Sequence, residues 1–190
     1  MARPSRKGEV LQAAIALFSR QGYHATSVRD IAEAVGMSKA GLYSSFSSKE
    51  ALLEDIYYSI IDDMLVRVHE IADRDSTPAE KLRAAIIWQV RGTAERIPEM
   101  TIFYRERHHL SPAASERIAE KRRQYELVME SIIADGMTAG DFRSVDVKVT
   151  AFGIAGMCAW TYRWYQEDGR LSARDVGILY ADLVLHGLTP

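Results

Sequence analysis

The chain has 190 residues, of which 47% are apolar and 26% are charged, and its formal net charge at pH 7 is −2. These values describe an ordinary soluble globular protein, and no stretch approaches the ~20 apolar residues that a membrane-spanning helix requires. The single cysteine, Cys158, excludes an internal disulfide framework. Because the chain starts with a basic segment and no apolar signal-like run follows it, we expect a cytoplasmic protein.

The charge is distributed unevenly along the chain. Residues 1–50 hold seven Lys/Arg against four Asp/Glu, a net charge of +3. Residues 51–190 hold seventeen against twenty-two, a net charge of −5. A basic N-terminal part on an acidic body is expected when only the first part meets DNA phosphates, although chance scatter can also produce so small an excess.

Apolar spacing and capping residues predict three helices in the first fifty residues, at about 5–21, 27–35 and 39–45. Ser27 and Asp30 have the spacing of a capping box at the start of the second helix. Gly36 can end that helix in a left-handed conformation, and Ser38 can cap the third helix. Two short helices around a tight turn form a helix-turn-helix, whose second helix enters a DNA major groove.

The rest of the chain also favours helices, because no segment alternates apolar and polar residues long enough to indicate a strand. Pro78, Pro98 and Pro112 suit the first turn of a helix, where a missing N–H group costs nothing. The sequence therefore predicts an all-α protein of about nine helices. The six remaining helices are predicted at about 48–73, 78–96, 98–109, 112–136, 145–168 and 172–187.

One unbroken window of around twenty positions carries a family resemblance. Its residues are Gly22-Tyr23, Thr26, Val28-Arg29-Asp30-Ile31-Ala32, Gly36, Ser38-Lys39, Leu42-Tyr43, Phe46 and Ser48-Lys49-Glu50-Ala51-Leu52. This order resembles the TetR family of bacterial transcriptional regulators, and the resemblance is specific over residues 5–55. It implies a three-helix DNA-binding domain at 1–47 and a helical effector-binding and dimerisation domain at 48–190. It also implies a ligand-responsive repressor that binds a palindromic operator as a homodimer and is released by a small hydrophobic effector.

The helix-turn-helix contains the candidate DNA contacts. Lys39 suits a base or phosphate contact, and Ala40 and Gly41 let the backbone approach the groove floor. Tyr43 matches the family position whose hydroxyl meets a phosphate, with a packed aromatic ring as the alternative. Thr26 and Ser27 lie at a helix start, where they can contact phosphate, cap the helix, or do both. The complete predicted set is Thr26, Ser27, Arg29, Ser38, Lys39, Ala40, Gly41, Tyr43, Ser44 and Lys49.

The eighth predicted helix is apolar on nearly every side, so it must be covered on nearly every side. We expect one face to meet the body and another to meet a second subunit. Gly153 and Gly156 allow close helix approach, and the ninth helix offers further apolar residues. A four-helix dimer interface follows.

Residues 152–169 resemble the C-terminal domains of regulators that respond to acyl-CoA thioesters. The predicted effector-binding residues are Trp88, Phe103, Arg105, Tyr125, Trp160, Arg163 and Trp164, and core packing or solvated helix faces are the alternative for them. Basic residues of the sixth and seventh helices are candidates for CoA phosphates, namely Arg105, Arg107, His108, Lys121, Arg122 and Arg123. The alternative effector is a drug or other hydrophobic compound, in a repressor of an efflux or catabolic gene.

No constellation for catalysis can be assembled from the sequence. Glu106 and His109 have a spacing that could place both on one metal ion, but a bundle-type di-metal enzyme needs a second Glu-x-x-His, which is absent. We therefore expect a protein that is not an enzyme, with no cofactor and no metal site; the helical-bundle metal enzyme is the alternative from another class. A third hypothesis is a DNA-binding scaffold that takes no ligand and acts through a protein partner.

Overall fold

The computed structural model describes residues 5–189. Arg3, which belongs to the basic N-terminal segment, and the first four residues of the predicted DNA-binding domain lie outside the described residues, as does Pro190. Within residues 5–189 the fold is entirely helical, with nine α-helices and one 3₁₀ turn and no strand, which confirms the all-α prediction. The helices are α1 Arg6–Gln21, α2 Val28–Ala34, α3 Lys39–Tyr43, α4 Lys49–Ala72, α5 Pro78–Glu95, α6 Ile97–Arg105, α7 Pro112–Ala139, α8 Val147–Trp164 and α9 Ala173–Leu188.

Side-chain caps set most of the helix starts. Ser27 and Asp30 form the reciprocal capping box of α2, and Ser172 and Asp175 form that of α9. Ser38 caps α3 by accepting a hydrogen bond from the amide of Gly41. Each cap satisfies N–H groups that have no partner within the helix, which explains why the local sequence predicts these starts to within about two residues.

Three helix ends differ by three or four residues from the sequence-based expectation. The predicted sixth helix, 98–109, ends at Arg105 and is followed by a 3₁₀ turn at Arg107–His109. The seventh helix continues through Gly136 to Ala139, and the eighth ends at Trp164 rather than near 168. Gly136 does not terminate its helix, because its role is close packing: a Cβ atom there would lie 2.2 Å from the Phe142 ring. The chain turns instead at Gly140, where φ is +80°.

The chain divides into two compact units. The N-terminal unit is Met1–Ile61 with Pro98–Ala119, and the C-terminal unit is Asp62–Ile97 with Glu120–Pro190. The predicted functional division after residue 47 falls inside the N-terminal unit. Helix α4 contributes its first half to the N-terminal unit and its second half to the C-terminal unit.

Each unit has its own apolar core. In the N-terminal unit, α1 buries Val10, Ala14 and Phe18, as its apolar spacing predicts. The C-terminal core includes Cys158, whose thiol is fully buried; burial raises the pKa of Cys158 to about 12. Almost no reactive thiolate exists at neutral pH, so this cysteine packs as a small apolar side chain.

Helices α5 and α9 approach each other at Gly177, which is buried. A Cβ atom on Gly177 would lie 2.9 Å from the backbone Cα of Ile87, closer than side-chain carbons come to a backbone. We therefore expect Gly177→Val to destabilise the protein by about 1–3 kcal/mol, because α9 must shift away from α5. Thermal unfolding at fixed protein concentration measures the effect, at roughly 2–4 °C per kcal/mol for a chain of this size.

Gly92, in α5, is the matched control, because it lies outside the exposed apolar side chains of α8 and α9. A Cβ atom there has no atom within 4 Å to meet. Gly92→Val should leave the unfolding temperature unchanged or raise it slightly, since glycine is a poor helix former. Equal destabilisation by both variants would contradict the close-packing role of Gly177.

Candidate nucleic-acid interface and subunit interface

The geometry of the helix-turn-helix is fixed by short-range hydrogen bonds. After α2, the amides of Val35 and Met37 both donate to the carbonyl of Ala32, at 3.3 and 2.9 Å. Gly36 adopts φ +63°, the left-handed conformation that glycine takes most easily. The cap of Ser38 then starts α3 at once. The angle between the two short helices therefore follows from about four residues.

Helix α3 has one buried face and one exposed face. Leu42 is fully buried in the N-terminal unit. Lys39 and Tyr43 are exposed, Tyr43 to 44%, and the Lys39 ammonium lies 5.9 Å from the centre of the Tyr43 ring. The other predicted contacts at the start and end of α3, Ser38, Ala40 and Ser44, are also exposed, and Gly41 is half-buried. A short helix with a basic and a phenolic side chain on its exposed face is typical of a recognition helix.

Thr26 is a buried residue of the turn between α1 and α2. It is fully buried, its hydroxyl donates to the carbonyl of Gly22 at 2.9 Å, and it accepts a hydrogen bond from Gln21 at 3.2 Å. Its amide donates to the carbonyl of Tyr23. In this structure the Thr26 side chain holds the turn between α1 and α2, and its exposed neighbour Ser27 lies at the surface.

Lys49, at the start of α4, has two partners inside the same unit. Its ammonium donates to the carbonyls of Tyr23 and Thr26, each at 2.9 Å, and lies 4.1 Å from the centre of the Tyr23 ring. The side chain thus connects α4 to the turn that precedes α2. Arg29 is exposed on α2 and forms an ion pair with Glu33 at 2.6 Å.

Tyr23 joins this turn to the 3₁₀ turn that follows α6. The Tyr23 ring is buried and stacks on the His109 ring with centroids 4.8 Å apart. Burial, and then the carboxylate of Glu50, raise the pKa of Tyr23 above its ordinary value, so the phenol stays protonated. Burial also lowers the pKa of His109, and the neighbouring His108 and His24 lower it further.

An apolar strip lies exposed on α8 and α9 of the C-terminal unit. On α8 it includes Val149, Phe152 and Trp160, which have helical spacing, and on α9 it includes Leu179 and Leu183. Val149 and Leu183 are each 66% exposed. Cβ atoms on the two glycines of α8, residues 153 and 156, would meet no atom within 4 Å, so this side of the helix is open. Exposed large apolar side chains grouped on two helices of one unit are typical of a surface that another protein covers.

Three predicted effector-binding residues lie on exposed parts of α8. Trp160 is 59% exposed, Trp164 is also exposed, and the Arg163 guanidinium lies 5.9 Å from the centre of the Trp160 ring. Tyr125, by contrast, is buried in the C-terminal core, where its hydroxyl donates to Gln89 at 3.0 Å. Trp160, Arg163 and Trp164 therefore lie at the surface of α8, whereas Tyr125 lies in the core.

The remaining predicted effector-binding residues divide between the two units. Phe103 is buried in the N-terminal unit and stacks on Tyr57 with centroids 4.9 Å apart, and Arg105 is exposed at the end of α6. Trp88 lies in the C-terminal unit, in the wall of an open groove of about 390 Å³. The groove is lined by Asp63, Arg67, Trp88, Arg91, Gly92, Glu95 and Arg96.

A second open groove, of about 540 Å³, shares Arg91 and Glu95 with the first. Its other walls include Tyr165 and Arg174. Sequence reasoning missed these arginines, because Arg91 and Glu95 have the i,i+4 spacing of a solvated ion pair, which they form at 3.1 Å. Their grouping across α4, α5 and α9 is visible only once the helices are packed.

The basic residues predicted to meet CoA phosphates on α7 already have acidic partners. Lys121 pairs with Asp62, Arg122 with Glu126 at 3.3 Å, and Arg123 with Glu130 at 2.6 Å. Arg107 and His108 lie in the 3₁₀ turn of the N-terminal unit. Among the described residues, no helix is long and apolar enough to cross a membrane.

Comparison with known proteins covers both parts of the chain. The family model for bacterial regulatory proteins of the tetR family matches residues 10–56, and the model for a tetracyclin repressor-like C-terminal domain matches residues 75–188. The HTH-type transcriptional repressor KstR2 of Mycolicibacterium smegmatis (strain ATCC 700084 / mc(2)155) is 33% identical over 187 residues. That alignment covers 97% of this chain and 91% of the relative.

Two solved structures are similar over nearly their whole length. The ketosteroid transcriptional regulator KstR2 of Mycobacterium tuberculosis has a TM-score of 0.91 and 29% identity, covering 100% of this chain and 97% of that one. AibR, crystallised in complex with isovaleryl coenzyme A and operator DNA, has a TM-score of 0.83 and 30% identity. The second alignment covers 98% of this chain and 99% of AibR.

Proposed function

This chain belongs to the TetR family of bacterial regulatory proteins, and from that membership we propose that it is a dimeric repressor released from its operator by an acyl-CoA. The observation that carries the proposal is the alignment with the repressor KstR2, which extends over 97% of the chain and not over the helix-turn-helix alone. AibR, similar over 98% of the chain, was solved with both an acyl-CoA and operator DNA. The body as well as the DNA-binding part therefore resembles that of an effector-responsive regulator.

We propose that the outer face of α3 makes the sequence-reading contacts. Lys39 and Tyr43 are its two long exposed side chains, and Ala40 and Gly41 allow close approach to the groove floor. The other exposed residues of the predicted set, Ser27, Arg29, Ser38 and Ser44, are proposed to position the domain on phosphates. Thr26 and Lys49 support that surface through the hydrogen bonds that fix the turn before α2.

We propose that the apolar strip on α8 and α9 forms the dimer interface. It combines exposed large side chains with an open glycine pair on α8, so a second copy of the strip can pack closely against it. In this arrangement Trp160 and Trp164 lie at or beside the contact between the subunits. Any contact that they make with an effector is then made at that interface.

The effector proposal assigns the acyl part to apolar side chains of the C-terminal unit and the CoA phosphates to arginines. Trp88 offers an aromatic wall, and Arg67, Arg91 and Arg96 line the same groove. These arginines are paired with carboxylates, so phosphates would have to exchange with those partners. Because α4 runs through both units, a change in its direction caused by the effector would reach the unit that holds α3.

Effector titration tests this function. A duplex selected from random sequence by the purified dimer serves as the operator, and fluorescence anisotropy follows its release. We expect at least one fatty, steroid-derived or aromatic acyl-CoA to release DNA at micromolar concentration, while CoA alone does not. Trp88→Ala should raise the required concentration at least about fivefold, since Trp is enriched among the residues whose truncation in a binding site costs more than about 1 kcal/mol. Leu127→Ala, on α7 and outside the groove lining, should not.

The outcomes separate the proposed effectors. Release by an uncharged hydrophobic drug but by no acyl-CoA would contradict the CoA assignment and favour a drug-responsive repressor of an efflux or catabolic gene. Release by neither would favour the scaffold that acts through a protein partner. A promoter carrying the selected operator should lose transcription when the protein is expressed; increased transcription would contradict the repressor assignment.

We further propose that the protein acts in the cytoplasm on chromosomal DNA and has no catalytic role. The relatives and solved structures compared above are transcriptional regulators, which supports a binding function over an enzymatic one. The helical-bundle metal enzyme has no support from them.

A further inference from the structure

Three of the five histidines of this chain gather in one place in the N-terminal unit. His108 and His109 belong to the 3₁₀ turn after α6, and His24 belongs to the turn between α1 and α2. The His109 ring lies 3.8 Å from the His108 ring and 4.2 Å from the His24 ring, measured between centroids. The residue before the 3₁₀ turn, Glu106, places a carboxylate oxygen 3.4 Å from Nε2 of His109.

The predicted helix over 98–109 would have offered only Glu106 and His109 on one face. In the observed 3₁₀ turn the His108 ring also lies against the His109 ring, with the centroids 3.8 Å apart. One ligand atom from each of Glu106, His108 and His109 lies within 4.8 Å of the other two. Sequence spacing gave no signal for His24, which comes from a segment more than eighty residues earlier.

We propose that Glu106, His108 and His109 form a binding site for a divalent transition-metal ion of the Zn²⁺ type, with His24 as the fourth ligand. Imidazole nitrogen and carboxylate oxygen are the donors that such ions take in proteins, and three or four of them complete a tetrahedral site. Bond lengths of about 2.0–2.2 Å place neighbouring ligand atoms about 3.4 Å apart. The ligand atoms of Glu106, His108 and His109 must therefore draw together by at most about 1.4 Å, which rotation of the exposed His108 side chain can supply. The exposed His24 side chain must turn toward them to become the fourth ligand.

The surroundings fix one ligand and leave the others free to adjust. His109 is held by its stacking on the buried Tyr23 ring, and Glu106 is partly buried beside it. Both are therefore already ordered before an ion arrives, which lowers the entropic cost of binding. A bound ion would join the 3₁₀ turn to the turn that precedes α2, two segments that now meet through ring contacts.

Metal titration of the untagged, full-length protein tests the site. After dialysis against a chelator, we expect isothermal titration with ZnCl₂ to give one ion per chain with micromolar or tighter affinity. His108→Ala should weaken binding at least about tenfold, as loss of a ligand must cost no less than loss of a residue supporting one. Zn²⁺ should also raise the unfolding temperature of the wild-type protein more than that of His108→Ala.

The two other histidines of the chain provide matched controls. His69 and His186 are exposed and lie in the C-terminal unit, so the double variant His69→Ala/His186→Ala should bind Zn²⁺ like the wild type. His24→Ala should lower affinity and alter the visible spectrum of bound Co²⁺, which is intense in four-coordinate sites. His24 and His108 are exposed, so we expect both variants to fold, and circular dichroism checks this. The proposal would be overturned if the wild type does not bind Zn²⁺. It would also be overturned if His24→Ala/His108→Ala binds Zn²⁺ as tightly as the wild type.

Discussion

Leu183→Glu is expected to convert the protein into monomers and to abolish its binding to a two-fold symmetric operator. Leu183 lies on α9 and is 66% exposed in one chain, in the apolar strip with Leu179 and the large side chains of α8. If two strips pack together, the variant places a carboxylate from each subunit in an apolar contact. An unpaired charge there costs several kcal/mol, enough to dissociate a dimer of ordinary affinity.

Sedimentation velocity at micromolar protein concentration measures the oligomeric state directly. Leu127→Glu is the matched control, because Leu127 is also an exposed leucine, at 49%, but lies on α7 outside the strip. The control should remain dimeric and bind the operator. Gly156→Glu tests the same face from α8, where a Cβ atom meets nothing in one chain. Dimers that survive both Leu183→Glu and Gly156→Glu would place the interface elsewhere.

Loss of the dimer should remove far more operator affinity than loss of one contact. A two-fold protein binds two half-sites separated by about one helical turn of DNA or a multiple of it, so each head brings the other to its half-site. Separate monomers lose this linkage and retain the affinity of one half-site. We therefore expect specific binding to fall into the range of non-specific binding, with unchanged circular dichroism.

Local features of the sequence predict local features of the structure. The starts of α2 and α3 are predicted from capping residues, because those hydrogen bonds join residues three apart. Helix ends are predicted less well. Gly136 is a residue type that often ends a helix, so the sequence predicts the end of the seventh helix there. In the structure it lies inside α7, because the Phe142 ring packs against it and leaves no room for a Cβ atom. Only the tertiary contact distinguishes the two roles.

The DNA-binding face of α3 and the candidate effector site of the C-terminal unit also differ in how well the sequence predicts them. The exposed face of α3 follows from the spacing of Leu42 and Phe46, which point inward, so Lys39 and Tyr43 are located without any long-range information. The body offers no such short-range rule. Trp160 is an aromatic residue of the kind that lines ligand pockets, but its side chain is 59% exposed in one chain. Because α8 is apolar on nearly every side, the sequence does not show which face packs on its own subunit and which face meets another protein.

Long-range pairs were beyond sequence reasoning altogether. The ammonium of Lys49, a predicted DNA contact, donates hydrogen bonds to the carbonyls of Tyr23 and Thr26, over twenty residues away, and the sequence gives no sign of these bonds. The contact of His24 with His109 spans a still longer separation. Neither has a periodicity that a single sequence reveals.

Lys39→Ala and Tyr43→Ala are each expected to weaken operator binding by about 30-fold or more while leaving the fold intact. Both side chains are exposed on α3 and neither belongs to the core of the N-terminal unit. A good base or phosphate contact contributes roughly 1–3 kcal/mol, and a symmetric dimer loses it twice, so the expected loss is about 2–6 kcal/mol. Fluorescence anisotropy on the selected duplex measures it, and Lys81→Ala on α5 controls for the loss of one positive charge.

Salt dependence and a conservative variant then separate the two roles. If Lys39 contacts phosphate, Lys39→Ala should reduce the slope of log K against log salt by about one for each subunit and weaken all duplexes alike. If it contacts a base, the slope should hardly change and discrimination at one position of each half-site should relax. Tyr43→Phe should lose nearly as much affinity as Tyr43→Ala when the hydroxyl makes the contact, and little when the ring only packs. Unchanged affinity in Lys39→Ala and Tyr43→Ala together would show that α3 does not read DNA with this face, since no other long side chain projects from it among the described residues.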